Sequence, residues 1–300
     1  MPDRVTRPLG LTGLHPTLIG FGALEIGRDW GVGTDADRRR PDEPDAGKTL
    51  HEVLDLGVTL IDTASAYHRS EERIGASVAE RRKEFILATK CGEHNREPET
   101  FYDFSLDAVR RSIDTSLRLL KTDVIDVLQI HFGPDPVKVL DDGECVRAMR
   151  QAQEKGRVRF LGASVDGPVL DRCIKSADFD VVQVGYSLLN QKEGDRIAKA
   201  QDRGIGVLIR SGLAGGWLTS RALLVPEAER PPKINAMLGL CRGDADLLAS
   251  LALHFLARQE GVSSILVGSK SAGNIRKALD AISSPVDDDL LAKASAIGRA

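Results

Sequence analysis

The chain has 300 residues, 42% hydrophobic and 28% charged, and its 41 basic and 44 acidic side chains leave a formal net charge of -3. This is the balance of a globular chain able to bury a large core, and it gives no electrostatic reason to expect nucleic acid or an anionic membrane as partner. The cysteines Cys91, Cys145, Cys173 and Cys241 form no C-x-x-C pair, which argues against a zinc site and against a secreted disulfide framework.

Residues 1 to 16 are charged and broken by proline and glycine. They lack the apolar core of a signal peptide, and no later apolar run reaches membrane-spanning length, so a cytoplasmic setting is expected. The same segment is read as a hairpin under the fold. Beyond it, short apolar runs rich in branched residues alternate with longer amphipathic ones. Strands are predicted at Leu18 to Phe21, Val58 to Asp62, Phe85 to Lys90, Val124 to His131, Val158 to Ser164, Val181 to Tyr186, Gly206 to Arg210 and Ile265 to Gly268. Helix-period segments separate them. In one, Ser105 to Leu120, the residues Leu106, Val109, Ile113, Leu117 and Leu120 fall on one stripe, with Ser105 placed to cap the first turn.

Eight strands joined by helices predict an α/β chain folded as a single (β/α)8 TIM barrel domain over residues 1 to 300. A glycine- and proline-rich excursion from about Ser211 to Gly243 follows the seventh strand and is too long for a simple connection, which marks it as a functional loop.

In such a barrel the chemistry sits at the C-terminal ends of the strands. The polar residues that close the apolar runs are Asp62, Lys90, His131, Ser164, Gln183 and Arg210, followed by the turn Gly268-Ser-Lys-Ser271. A lysine beside a phenol favours the phenolate, and an aspartate fixes the lysine; Asp62, Lys90 and Tyr67 therefore suit a proton donor working nearer neutral pH than an ordinary tyrosine. His131 is placed to orient a carbonyl oxygen. Competing readings are a Schiff-base role for Lys90, a cofactor-binding regulatory barrel with little turnover, and a metal hydrolase, for which no ligand spacing is present. No metal is expected.

Asp62-Thr-Ala-Ser-Ala-Tyr67 followed by Ser70-Glu71 and Ile74-Gly75, then Ala88-Thr-Lys90, then Leu128-Gln-Ile-His131, in that order and spacing, resemble the aldo-keto reductases, barrel enzymes that use a nicotinamide cofactor. The likeness extends from about Leu9 to the helix after Gly268. It implies that Tyr67, Lys90, Asp62 and His131 form a catalytic tetrad, with Tyr67 as general acid, and that Ser164 and Gln183 meet the nicotinamide carboxamide. Departures from the family pattern are Val165 in place of the usual asparagine, Arg210 where an aromatic ring often stacks, His68 where glycine is common, and Asn274 and Ala278 near the adenine.

No Rossmann fingerprint is present, since neither Gly20-Phe-Gly22 nor Gly31-Val-Gly33 has the right context. The phosphate site is instead expected in Ser211-Gly-Leu-Ala-Gly-Gly216, including Leu213 and Gly215, and in Gly268 to Ser271. Lys270, Ser271 and Arg276 suit a ribose 2′-phosphate, so NADP(H) is the first choice of cofactor, with NAD(H) as the second. Trp30, His68, Phe132 and Trp217 are expected around the substrate, a small aldehyde, ketone or sugar-derived carbonyl or alcohol. No segment marks a docking surface or an oligomeric state.

Overall fold

A computed structural model describes residues 4–300. Among the described residues ten strands form: β1 (Ile19–Gly22), β2 (Leu60–Asp62), β3 (Ile86–Cys91), β4 (Glu93–Arg96), β5 (Glu99–Tyr102), β6 (Ile125–His131), β7 (Val158–Ser164), β8 (Val181–Gly185), β9 (Gly206–Arg210) and β10 (Val262–Gly268). Eight of them close into a parallel barrel in the order β1-β10-β9-β8-β7-β6-β3-β2, while β4 and β5 pair as a separate antiparallel hairpin. The barrel strands are nearly continuous apolar runs because helices cover their outer face and side chains fill the interior. The fold is the (β/α)8 TIM barrel.

Strand limits depart from the sequence reading where side chains replace the ladder. Val58 and Thr59 lie outside β2, since the backbone amides and hydroxyls of Thr17 and Thr59 bond each other reciprocally at 3.0 and 3.1 Å. β10 starts earlier than expected because its two serines are satisfied inside the wall: Ser264 Oγ donates to the Thr17 carbonyl at 2.8 Å, and Ser263 Oγ accepts from the Val207 amide at 3.2 Å.

The floor of the barrel is plugged from below. Arg7 N donates to the Pro16 carbonyl and Leu9 N to that of Leu14, a short hairpin with one bridge between Thr6 and Thr17. It delivers Leu9 and Leu14 against Leu60, Ala88, Val127, Val181, Leu208 and Leu266. Gly10, at φ +55°, passes so close to the chain at 204–206 that a Cβ would lie 2.3 Å from the Gly204 carbonyl oxygen.

The excursion after β9 carries its own packing. Short turns lead to the helix Pro232–Leu240 and then to Ala245–Arg258. Leu218, Ala222, Ile234, Met237, Leu238 and Cys241 form an apolar cluster with Leu248, Leu251, Leu291 and Ala294. Burial of this size anchors the loop, so its inner edge forms a fixed wall. Among the described residues no helix is long and apolar enough to cross a membrane.

Candidate active site

Residues two apart on a strand face the same way, and this places the polar layer of the barrel. Leu60, Ala88, Val127 and Val181 belong to the apolar floor; two residues on stand Asp62, Lys90, Gln129 and Gln183, all buried. Register brings them level, with Asp62 beside Ala88, Lys90 beside Gln129 and His131 beside Ser164, which neighbours Gln183. Gly162 opens room for this layer, since a Cβ there would meet Gln129 Cγ at 2.8 Å.

Lys90 is the centre of the layer. Its Nζ donates to Asp62 Oδ2 at 2.5 Å, to the Thr63 carbonyl at 2.9 Å and to Tyr67 Oη at 3.2 Å. The other carboxylate oxygen, Asp62 Oδ1, accepts from Gln129 Nε2 at 3.0 Å and Gln183 Nε2 at 2.8 Å. Burial works against the Lys90 charge, but Asp62 and Tyr67 outweigh it and hold the ammonium above its ordinary pKa. Burial also dominates at Tyr67 and raises its phenol, with Lys90 and Arg210 pulling the other way and Asp62 adding to the rise. This differs from the sequence reading: desolvation wins over the neighbouring ammonium, and the phenol stays protonated at neutral pH.

Tyr67 reaches the cavity because the turn after β2 is tied down at several points. Ser70 Oγ donates to the Ala23 carbonyl at 2.8 Å and accepts from Thr63 Oγ1 at 2.9 Å. Ser70 is the first residue of the helix Ser70–Val78, and Arg69 stands at the cap position. His68 adopts φ +48° and turns toward the hairpin, Nδ1 lying 2.8 Å from Asn95 Oδ1. It stands outside the cavity wall.

The hairpin of β4 and β5 supplies a group that the sequence reading did not single out. Glu93 opens it, lines the cavity and places Oε2 2.8 Å from His131 Nδ1, off the axis of a straight N–H···O bond. Thr100 Oγ1 donates to Glu93 Oε1 at 2.6 Å. Burial raises the Glu93 carboxyl, yet His131, Thr100 and Arg28 together leave it below its usual range. Burial lowers the His131 pKa, against the pull of Glu93. The Tyr67 and His131 rings meet edge to face, 5.9 Å between centroids.

One cavity of about 920 Å³ opens over these groups. Asp62, Tyr67, His131, Phe132, Trp30, Ser164, Gln183 and Arg210 line it, and so do Ser211, Leu213, Gly215, Gly268 and Asn274. Lys90 sits behind Tyr67. Arg210 is ion-paired with Asp166, whose Oδ1 accepts from the Gly185 amide at 2.7 Å. Across the cavity, Arg221 of the excursion grips Glu25 with two hydrogen bonds, 3.1 and 2.5 Å.

Four predicted residues lie outside the wall besides Lys90 and His68. Lys270 Nζ is spent on the carbonyls of Asp37 and Arg39, each at 2.5 Å. Ser271 caps the helix Ala272–Ser283 by accepting from the Gly273 amide. Arg276 is exposed on that helix, and Trp217 packs against the apolar cluster of the excursion. Among the described residues no group of three His, Cys, Asp or Glu side chains is arranged to hold a metal.

Known proteins share the sequence and the fold of this chain. The sequence profile of the Aldo/keto reductase family matches residues 18–299. L-galactose dehydrogenase of Arabidopsis thaliana is 30% identical, with 97% of this chain and 93% of that protein covered. The NADH-specific methylglyoxal reductase of Escherichia coli is 26% identical over 94% of each chain. An aldo-keto reductase from Bacillus halodurans, in its holo form, superposes with a TM-score of 0.82 at 25% identity, covering 98% of this chain and 96% of that one. The chain therefore belongs to the aldo/keto reductase family of oxidoreductases.

Proposed function

We propose that this protein interconverts a small polar carbonyl compound and its alcohol, with Tyr67 as the proton donor in reduction and His131 beside the reacting oxygen. The observation that carries the reading is the convergence of Tyr67, Asp62 and His131 on one cavity, with Lys90 behind them and its Nζ 3.2 Å from Tyr67 Oη.

A nicotinamide dinucleotide fits the donor set. Ser211, Ala214, Gly215 and Gly216 all have positive φ, which makes the loop a concave, side-chain-poor surface of the kind that receives a pyrophosphate. Gly22 and Gly268 line the same cavity. The bound cofactor would supply or take up the hydride. Burial keeps Tyr67 protonated, the state a donor needs, and Lys90 is in place to stabilise the phenolate left behind. Lys90 is only 1% exposed and is held charged by three acceptors, which favours this tuning role over a Schiff-base nucleophile, since that must be neutral and reachable.

For the dinucleotide we favour NADH. Lys270 is committed to two carbonyls and Arg276 lies off the wall, whereas Asp244, Asp246 and Asp280 line the cavity with Lys277, and Lys277 is paired with Asp246 at 2.9 Å. A 2′-phosphate would meet net negative charge there. Around the reacting end, Trp30 and Phe132 stand with Arg28 and Glu93, a mixed aromatic and charged rim that suits sugar-like or small α-oxygenated carbonyls. The activities in the names of the Arabidopsis and Escherichia coli relatives are of this kind.

The test is a spectrophotometric screen with NADH and NADPH against aldehydes, ketones and sugars. Tyr67→Phe is expected to lower turnover by about 10²- to 10⁴-fold while dinucleotide still quenches protein fluorescence. Turnover at the unsubstituted rate in that variant would overturn the assignment.

A further inference from the structure

Among the described residues four cationic side chains line the cavity, Arg28, Arg210, Arg221 and Lys277. Three of them are matched by a carboxylate: Arg210 pairs with Asp166, Arg221 with Glu25 and Lys277 with Asp246. The Arg28 guanidinium has neither an ion pair nor a hydrogen bond among the described residues, although it is half-buried in the cavity wall. Five N–H donors in a rigid fork are left without a protein acceptor.

The backbone that carries Arg28 is fixed at the reacting end. Gly27 and Arg28 both donate to the Leu24 carbonyl, at 3.0 and 2.9 Å, and the Gly27 carbonyl accepts from Arg40 Nη1 at 2.8 Å. Gly27 also lies against the turn that carries Tyr67. A Cβ there would stand 2.5 Å from the Ser70 amide nitrogen and closer still to the Tyr67 carbonyl oxygen. Arg28 thus leaves the same packed corner as the phenol, two residues before Trp30 on its own loop. Its charge is felt by Glu93 and Tyr102 of the hairpin, pulling the pKa of each downward against the effect of burial. Glu93 nevertheless stays outside ion-pair distance, its oxygens meeting Thr100 and His131.

We propose that Arg28 is a specificity-determining residue: the substrate carries a carboxylate a few bonds from its reacting carbon, and Arg28 holds that carboxylate while the reacting oxygen lies at Tyr67. This rests on the reading above that Tyr67 marks the reacting end. The guanidinium fork matches both oxygens of a carboxylate. A dianionic phosphate is disfavoured, because Arg28 is the one unmatched cation among the described residues of the wall and Glu93 adds a negative charge near it. The hydroxyls of a neutral sugar would accept from the same donors, but such bonds are weaker than those to an ion. Trp30 and Phe132 offer apolar faces to the carbon skeleton between the two ends.

The test compares meta- and para-carboxybenzaldehyde with their methyl esters, which have nearly the same shape and no charge. In the unsubstituted protein kcat/KM for at least one acid should exceed that for its ester by about tenfold, the worth of one charge-assisted interaction, with the difference lying in KM. Arg28→Met should abolish the preference, and Arg28→Lys, which keeps the charge without the fork, should restore part of it. Added salt should narrow it in the unsubstituted protein. Esters handled as well as both acids by the unsubstituted protein overturn the proposal, and so does an unchanged preference in a folded Arg28→Met. Should that variant not fold, the comparison in the unsubstituted protein is decisive alone.

Calorimetric titration reads the same preference without turnover. In the presence of NADH, meta- or para-(hydroxymethyl)benzoate should bind more tightly than its methyl ester, and equal affinities for both pairs count against Arg28. The two failures are distinct. If the oxidoreductase reading fails, no carbonyl compound is turned over while the acid still binds better than the ester; if this proposal fails, turnover proceeds with no preference for the acid.

Discussion

Asp62 and Lys90 face each other from neighbouring strands, 3% and 1% exposed, with Oδ2 and Nζ 2.5 Å apart. Both charges have been taken out of water, and each is tolerated because the other is present. Asp62→Leu leaves a buried ammonium with only the Thr63 carbonyl and the Tyr67 oxygen as fixed partners. We expect it to destabilise the fold by about 3–5 kcal/mol, and Lys90→Met to do the same. The double variant Asp62→Leu, Lys90→Met should recover much of that loss while remaining inactive. Urea denaturation of the four proteins measures the coupling; additive losses would show that the pair is not a unit.

Glu71 gives the fold a pH dependence of its own. It is 2% exposed and sits behind the barrel wall, accepting from Thr89 Oγ1 at 2.6 Å and Ser116 Oγ at 3.0 Å. Burial outweighs both hydroxyls and Lys90, pushing its pKa up from 4.5 to about 7. A carboxyl that keeps its proton longer when folded makes the folded state bind more protons than the unfolded one between those two values. Stability therefore falls as pH rises through that window and levels off above it, by about 3 kcal/mol at most. Glu71→Gln keeps a hydrogen-bonding side chain without the charge. Its unfolding free energy should exceed that of the unsubstituted protein by a margin that grows from pH 5 to pH 8. A margin independent of pH would remove Glu71 as the source.

These two carboxylates also mark what a sequence can disclose. Asp62, Lys90 and His131 are legible because each ends an apolar run, and a barrel turns strand ends into one mouth. Gln129 lies in the same run as His131 but is masked by its neighbours, its role being visible only once register sets it beside Lys90. Glu93 is hidden for a different reason. Glu93–Arg96 and Glu99–Tyr102 carry charged or polar residues on both faces, so no alternation announces a strand, and the hairpin exists through its pairing and not through burial. Lys270 misleads because a lysine at a helix start looks available; only the fold shows that two carbonyls occupy it.

The contact between Arg221 and Glu25 spans the cavity from the excursion to the loop after β1. Gly31 and Gly216 make room for the guanidinium: a Cβ at Gly31 would stand 2.5 Å from Nη1, and one at Gly216 3.0 Å from Cδ. The excursion has its own apolar cluster, so the bridge closes one rigid edge against another. Arg221→Met should raise the dissociation rate of bound dinucleotide by about tenfold, the equivalent of one charge-assisted hydrogen bond of about 1.5 kcal/mol. The association rate should change far less. Stopped-flow fluorescence separates the two rates, and an unchanged dissociation rate would mean that the bridge does not cover the ligand.

The acidic lining at the far end of the cavity leads to a prediction about the dinucleotide itself. Asp280 makes no ion pair among the described residues, Asp244 is occupied in capping Ala245–Arg258, and Asp246 is already matched by Lys277. With Lys270 withdrawn and Lys277 matched by Asp246, no unpaired cation among the described residues lines that end of the cavity to offset the charge that separates NADPH from NADH. Titration by fluorescence quenching should therefore give a tighter Kd for NADH. Asp280→Asn removes one exposed carboxylate, and exposed charges are worth only about 0.2–1 kcal/mol; it should strengthen NADPH binding by about two- to fivefold and leave NADH nearly unchanged. Raising the salt concentration should narrow the gap in the unsubstituted protein, since screening acts on the repulsion of the phosphate and little on the buried parts of the site. Tighter binding of NADPH at low salt would place an unseen cation beside the ribose and reverse the assignment.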